Sequence, residues 1–229
     1  MYPCPPVAYR YYVSADIGQA SDPTAIVIVE KRLQPPAPDT SPIRGDERYY
    51  RPARPALQPP VYVVKYVERL PLGTSYPAVV ECLVQMMHDP QLVGPARLVV
   101  DGTGVGRAIV DMLRAAGLSP LAISIHGGDN VTTEGGYTRV PKRDLAGIVR
   151  QMLDTSRLKV IDSLPEAQTL RRELQHFKVK INPETAHDSY SAWREGMHDD
   201  VVLAVAMGVW AAEQPNRLVA IPSVSYKRP

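Results

Sequence analysis

Short β-type runs dominate the first half of the chain. Residues 11–15 (YYVSA) and 24–29 (TAIVIV) are two such runs separated by a Gly/Asp/Pro turn segment, which predicts a hairpin. Residues 61–67 (VYVVKYV) predict a third strand and residues 97–100 (RLVV) a short fourth one of the buried type. Residues 121–125 predict a fifth. Between and after them, helical spacing covers residues 79–87, 107–116, 142–153, 166–175 and 199–212, the second of these stopping at Gly117, a usual residue just past a helix end. Residues 126–137 (HGGDNVTTEGGY) hold four glycines around a short β-prone core and read as a mobile loop or a hairpin, placed to gate a groove. The order is β-β-β-α-β-α-β followed by helices. Three successive strands favour antiparallel pairing, and the later strand–helix alternation favours parallel additions beside the first. The expected fold is a mixed five-stranded α/β sheet with helices on both faces.

Composition changes this picture in one place. The chain has 23 prolines in 229 residues, and eight of them lie in residues 34–60, QPPAPDTSPIRGDERYYRPARPALQPP, which carries no sustained period. Proline removes backbone donors and biases its neighbours toward extended conformations, so this stretch is expected to be an irregular insertion in a single domain spanning residues 1–229. Its arginines (Arg44, Arg48, Arg51, Arg54) and the pair Tyr49–Tyr50 are suited either to a solvated loop or to a polyanion. A short tail is expected from about residue 213 onward. The longest apolar run, residues 201–212, is well short of the roughly 20 residues a bilayer-spanning helix needs, and the first residues lack a charged-then-apolar signal layout. Two cysteines, Cys4 and Cys82, with no CxxC or Cys/His spacing exclude a disulfide scaffold and a zinc ribbon. The expectation is a soluble intracellular protein with no membrane association.

The aspartates carry the candidate chemistry. Asp16 ends the first strand in DIGQASDPTA, with Asp22 six residues on; Asp101 ends the fourth in LVVDGTGVG; Asp199 and Asp200 open the last helix in MHDDVVLAVAMGVW. Sites in open α/β sheets lie beyond the carboxyl ends of parallel strands. If the first and fourth strands are parallel neighbours, Asp16 and Asp101 stand side by side there, and the last helix need only present its first turn at that edge. Carboxylates gathered in this way repel one another unless a divalent cation sits among them, and hard oxygen ligands suit Mg²⁺ or Mn²⁺. Two such ions about 3.5–4 Å apart make a usual site for in-line attack on a phosphodiester. Each residue has a plainer alternative: Asp16 and Asp101 as turn acceptors, Asp22 as the residue setting a turn before Pro23, and Asp199 or Asp200 as a helix N-cap. With two adjacent aspartates one can cap while the other faces the site, and Asp200 is the favoured ligand. His198 fits a ligand, a base or a local hydrogen-bond donor.

DIGQASDPTAIVIVE, LVVDGTGVGRAIVDML, VPKRDLAGIVRQMLD and HDDVVLAVAMGVW, in that order, resemble the nuclease domain of bacteriophage large terminases. The resemblance runs from about residue 11 to residue 210. It implies an RNase H-like fold and a metal-dependent endonuclease that cuts double-stranded concatemeric viral DNA during genome packaging by a two-metal mechanism. It also implies a metal-binding triad at Asp16, Asp101 and Asp200 with further acidic positions at Asp22 and Asp199, and Mg²⁺ or Mn²⁺, two ions, as cofactor. The implied partners are double-stranded DNA, an ATPase motor domain or subunit, the portal and the small terminase subunit, in the cytoplasm of an infected host cell. One departure is clear. Full-length large terminases carry an ATPase motor, and no Gly-x₄-Gly-Lys-Ser/Thr phosphate loop occurs here; the cluster GTGVG is followed by Arg107. The chain is expected to cut DNA without translocating it.

Holding DNA against an acidic site requires basic surroundings. The net charge of +2 hides them, but residues 138–180 hold ten Lys/Arg against five Asp/Glu. Arg139, Lys142 and Arg143, around a proline that opens a helix, are candidate phosphate contacts, as are Arg171 and Arg172. Other readings weigh less on the residues. A sugar-kinase or chaperone ATPase pairs an Asp-x-Gly turn with a later Asp-Gly-x-Gly turn but needs two such domains, and GTGVG lacks dinucleotide-binding spacing. A Holliday-junction resolvase of the same fold and a non-catalytic packaging module remain as alternatives.

Overall fold

The computed structural model describes residues 10–18, 22–35, 58–180 and 199–214. Most of the proline-rich insertion, the C-terminal tail beyond residue 214 and His198 lie outside them. Among the described residues the elements run β1 (Tyr11–Asp16), β2 (Ala25–Arg32), β3 (Val61–Arg69), α1 (Tyr76–Met87), β4 (Ala96–Asp101), α2 (Gly106–Ala115), β5 (Leu121–His126), β6 (Thr132–Glu134), β7 (Tyr137–Pro141), α3 (Lys142–Asp154), β8 (Leu158–Val160), α4 (Ala167–Lys180) and α5 (Asp200–Glu213). The strands form one mixed sheet in the order β6-β7-β5-β4-β1-β2-β3-β8. β1, β2 and β3 pair antiparallel in succession, and β4 joins β1 in parallel, followed in parallel by β5 and β7.

The expected five strands are the middle of this sheet, which has eight. The additional three sit at its edges and were not legible for separate reasons. β8 is three residues long, too short to show a period, and pairs in parallel with the start of β3. Arg157, just before it, donates to the Pro60 carbonyl at 2.7 Å and to Glu213 of α5 at 2.8 Å, tying this strand to the end of the last helix. β6 and β7 form the hairpin allowed for by HGGDNVTTEGGY. Its two-residue turn is Gly135–Gly136, both at positive φ (58° and 79°), the conformation that matches the strand twist and that glycine adopts without penalty. β7 itself reads YTRVP, a strand ended by proline and too polar to stand out.

Strand periodicity sorts the core into two layers. Val13 and Ala15 of β1, Leu98 and Val100 of β4 and Ile26 of β2 pack beneath α1 and α2 with Leu83, Ile109 and Leu113. Tyr12, Val99, Ala25, Val27 and Val29 face the other way, under α3, α4 and α5. α5 is buried along almost its whole length. Its small residues let it lie close on the sheet: a Cβ added at Gly208 would stand 3.0 Å from Ser14 Oγ and 3.3 Å from Val29 Cγ2. Ser14, buried on β1, donates its hydroxyl to the Ala204 carbonyl of α5 at 2.5 Å. No described helix is long and apolar enough to cross a membrane.

Candidate metal centre

The site follows from the same period of two. Tyr12 and Ser14 face α5, so Asp16, next on that side, faces α5 as well. On β4, Val99 packs under α5, so Asp101 does too. The two strands are parallel and in register, with Ala15 beside Val100, which brings the two aspartates together one step later. Across the antiparallel pairs Asp16 stands opposite Ala25, and Ala25 opposite Arg69. A single row, Arg69–Ala25–Asp16–Asp101, therefore crosses the sheet at the carboxyl ends of β1, β3 and β4.

Arg69 reaches this row only because β3 is bulged. The ladder shifts between Ile28 and Val29, pairing Tyr66 with one and Val64 with the other and leaving Lys65 over. An extra residue reverses the faces beyond it, so Tyr62 and Val64 before the bulge and Val67 and Arg69 after it share the α5 side. Without it Glu68 would stand there. The sequence period, read unbroken, ended the strand at Val67 and gave no sign of Arg69.

The first turn of α5 meets the row at Arg69. Asp200 is 8% exposed and accepts a 3.2 Å ion pair from Arg69 Nη2. Asp199 takes the N-cap position, as expected, but makes no side-chain capping bond. Burial first, then repulsion from Asp101, Asp200 and Asp199, holds the Asp16 carboxyl well above the ordinary carboxylate range, and Asp16 shares a hydrogen bond with Asp101. The structure thus brings Asp101, Asp199 and Asp200 near enough to Asp16 for each to repel it. Among the described residues, no three His, Cys, Asp or Glu side chains stand around a single point at metal-ligand spacing. The contacts just given explain the spread: Asp200 leans on Arg69, and Asp16 on Asp101. The donor chemistry itself suits a hard dication, being all carboxylate oxygen under mutual repulsion.

Asp101 serves its turn at the same time. It is 5% exposed, and its Oδ1 accepts the Thr103 amide at 2.8 Å. Two of the glycines of DGTGVG serve packing: a Cβ at Gly106 would lie 1.9 Å from the Asp101 carbonyl oxygen, and one at Gly102 would lie 2.7 Å from the Tyr137 ring. Asp22 is exposed and stands off the row, lining a cleft of about 450 Å³ with Gly18, Thr24, Thr74 and Ser75.

A further carboxylate at the site is Glu173 of α4. It is 8% exposed; Oε2 accepts the Val202 amide at 2.9 Å, and Oε1 is buried with no hydrogen-bond partner among the described residues. Burial pushes its carboxyl up to about 7; the Val202 amide and Arg69 oppose that push, while Asp200 and Asp199 add to it. One sequence signal was available. Glu173 lies three residues after Leu170 and beside Leu174, both buried, so a charge sits on the apolar stripe of its helix.

Of the basic candidates, Arg139, Lys142 and Arg143 lie at the end of β7 and the start of α3, at the same carboxyl edge and two strands from Asp101, roughly 10 Å at ~4.8 Å per strand. Arg143 pairs with Asp129, and Arg139 lies 4.0 Å from Glu134. Arg171 pairs with Asp162, and Arg172 is exposed on the same helix. Arg107 and Arg114 of α2, not singled out from sequence, lie over the Tyr137 ring at 5.5 and 5.1 Å from its centroid.

Among solved structures, the human cytomegalovirus terminase nuclease domain superposes on this chain with a TM-score of 0.50 at 16% identity, covering 90% of this chain and 85% of that one. The chain shares the fold of that domain. A second structure of that viral domain, soaked with Mn, gives a TM-score of 0.49 at 16% identity over 89% of this chain and 83% of the other. No protein-family model matches the chain, and no curated protein matches it in sequence. At this identity the likeness concerns the fold. The row of carboxylates is what points to chemistry.

Proposed function

We propose that the protein is a metal-dependent endonuclease that hydrolyses phosphodiester bonds of double-stranded DNA, acting in the cutting of viral DNA during genome packaging. The observation that carries this reading is the gathering of Asp16, Asp101, Asp199 and Asp200 from two strands and a helix into one self-repelling group at the carboxyl edge of the sheet. Asp16, Asp101 and Asp200 would hold the cation or cations, Mg²⁺ or Mn²⁺, with Asp199 beside them and Asp22 at the rim. Bound there, two such ions would acidify the attacking water and stabilise the leaving oxygen. The chain's own residues do the rest. Asp101 is fixed by the Thr103 amide, Asp200 turns from Arg69 toward the row, and Arg139, Lys142 and Arg143 hold the phosphate backbone. Arg171 and Arg172 extend that hold along α4. These contacts carry no base-reading code, so cutting is expected to be independent of sequence. An ATPase motor, the portal and a small terminase subunit would be the partners, in the host cytoplasm.

Supercoiled plasmid with Mn²⁺ tests this reading. Asp16→Asn, Asp101→Asn and Asp200→Asn are each expected to slow nicking by about a hundredfold or more with the fold unchanged by circular dichroism. Normal cutting by two of the three would end the reading. The Arg69–Asp200 ion pair favours a second one, a non-catalytic packaging module in which the guanidinium permanently neutralises the acids. In that case Mn²⁺ neither binds nor supports cutting.

A further inference from the structure

We infer that Glu173 is a positioning residue for Asp200, holding the first turn of α5 against the sheet from a different helix. The inference rests on the reading of Asp16, Asp101 and Asp200 as a cation site. The first amides of a helix have no partner within it, and an N-cap side chain usually supplies one. Here Asp199 occupies the N-cap and makes no such bond. The acceptor comes instead from α4, where Glu173 Oε2 takes the Val202 amide at 2.9 Å.

Val202 lies two residues beyond Asp200 on the same turn, so what anchors its amide also bears on where the Asp200 carboxylate stands beside Arg69. Farther along, Ser14 holds α5 to β1 through the Ala204 carbonyl, and Glu173 adds a side-chain anchor at the turn that carries Asp200. A carboxylate is a costly choice for this task. It is more than nine-tenths buried, Oε1 has no partner among the described residues, and Asp199 and Asp200 repel it. What it supplies in return is Oε2, an acceptor for the Val202 amide that an apolar side chain at this position of α4 would not provide.

Three variants separate this role from bulk packing. Glu173→Gln keeps the acceptor and the length, Glu173→Asp keeps the charge but falls one methylene short, and Glu173→Ala removes both. Hydrogen exchange of peptides spanning the start of α5 is read without any metal, and Mn²⁺ affinity is read by calorimetry in the absence of DNA. Glu173→Asp and Glu173→Ala are expected to speed exchange in the first turn and to weaken Mn²⁺ binding about tenfold or more, whereas Glu173→Gln stays within about twofold of wild type in both. In plasmid cutting the Asp and Ala variants lose kcat while KM for DNA holds. Unchanged exchange and Mn²⁺ affinity in Glu173→Asp would overturn the inference. So would Glu173→Gln as defective as Glu173→Ala, since the charge and not the acceptor would then matter. A wild type that neither binds Mn²⁺ nor cuts DNA overturns the nuclease reading instead, while the exchange pattern still decides whether Glu173 anchors the turn.

Discussion

In the proposed reading, Arg69 and a divalent cation compete for Asp200. The guanidinium lies 3.2 Å from its carboxylate, and both are largely withdrawn from water. Arg69→Met is expected to lower stability by about 1–3 kcal/mol without divalent cation, because acids that already repel one another lose a positive neighbour. The same change should enlarge the rise in Tm produced by Mn²⁺, because a cation no longer has to displace the guanidinium. Differential scanning fluorimetry with and without Mn²⁺ measures both, and an unchanged Mn²⁺ increment would separate Asp200 from the cation site. At this scale the sequence was informative where a residue ends a regular element. Asp16 and Asp101 close strands whose alternation assigns their face, and Asp200 opens a helix. Arg69 was hidden by the Lys65 bulge, which reverses the alternation just before it, and Glu173 by lying on a helix whose charge pattern otherwise resembles a solvated face.

Among the elements, α5 decides whether the row becomes a site. A nearly unbroken apolar sequence made it legible as a helix, and its opening aspartates as candidates. How close it lies to the sheet was not legible, because that depends on Gly208 meeting Ser14 and Val29 of different strands. Gly208→Val places branched bulk where a Cβ alone would already stand 3.0 Å from Ser14 Oγ and 3.3 Å from Val29 Cγ2, so both buried side chains would have to give. It is expected to cost about 1–3 kcal/mol in urea unfolding and to lift the Asp200 turn from the sheet, weakening Mn²⁺ affinity in parallel. A loss of stability with no loss of affinity would show that the first turn is positioned independently of the rest of the helix. The edge strands teach the opposite lesson. β8 exists because Arg157 and β3 are in place to receive it, and three residues cannot announce that in advance.

Away from the Asp16 pair, two buried carboxylates among the described residues give pH dependences of opposite sign. Glu30 is buried, which alone would raise its carboxyl, but the guanidiniums of Arg32 and Arg10 outweigh burial and bring it below the ordinary value. Its stabilisation is present above the usual carboxylate range and is lost as pH falls through the lowered folded value. Glu173 is the reverse, raised from 4.5 to about 7, so its contribution is fully present below 4.5 and is lost as pH rises toward 7. Urea midpoints are therefore expected to change less below pH 4 in Glu30→Gln than in wild type, and to fall less between pH 4.5 and 7 in Glu173→Gln. Wild-type slopes in both variants would remove these groups from the balance. The order of elements around the central strands was readable because each of those strands and helices is long enough to show its own period; the added edges and the bulge depend on partners that only the folded sheet supplies.

The account rests on the aspartate row as a place for positive ions, and calorimetric titration of the DNA-free protein with Mn²⁺ tests that most directly. Saturable binding by wild type, weakened at least tenfold in each of Asp16→Asn, Asp101→Asn and Asp200→Asn, is the expected result. No binding by wild type, or equal binding by all four proteins, would contradict it.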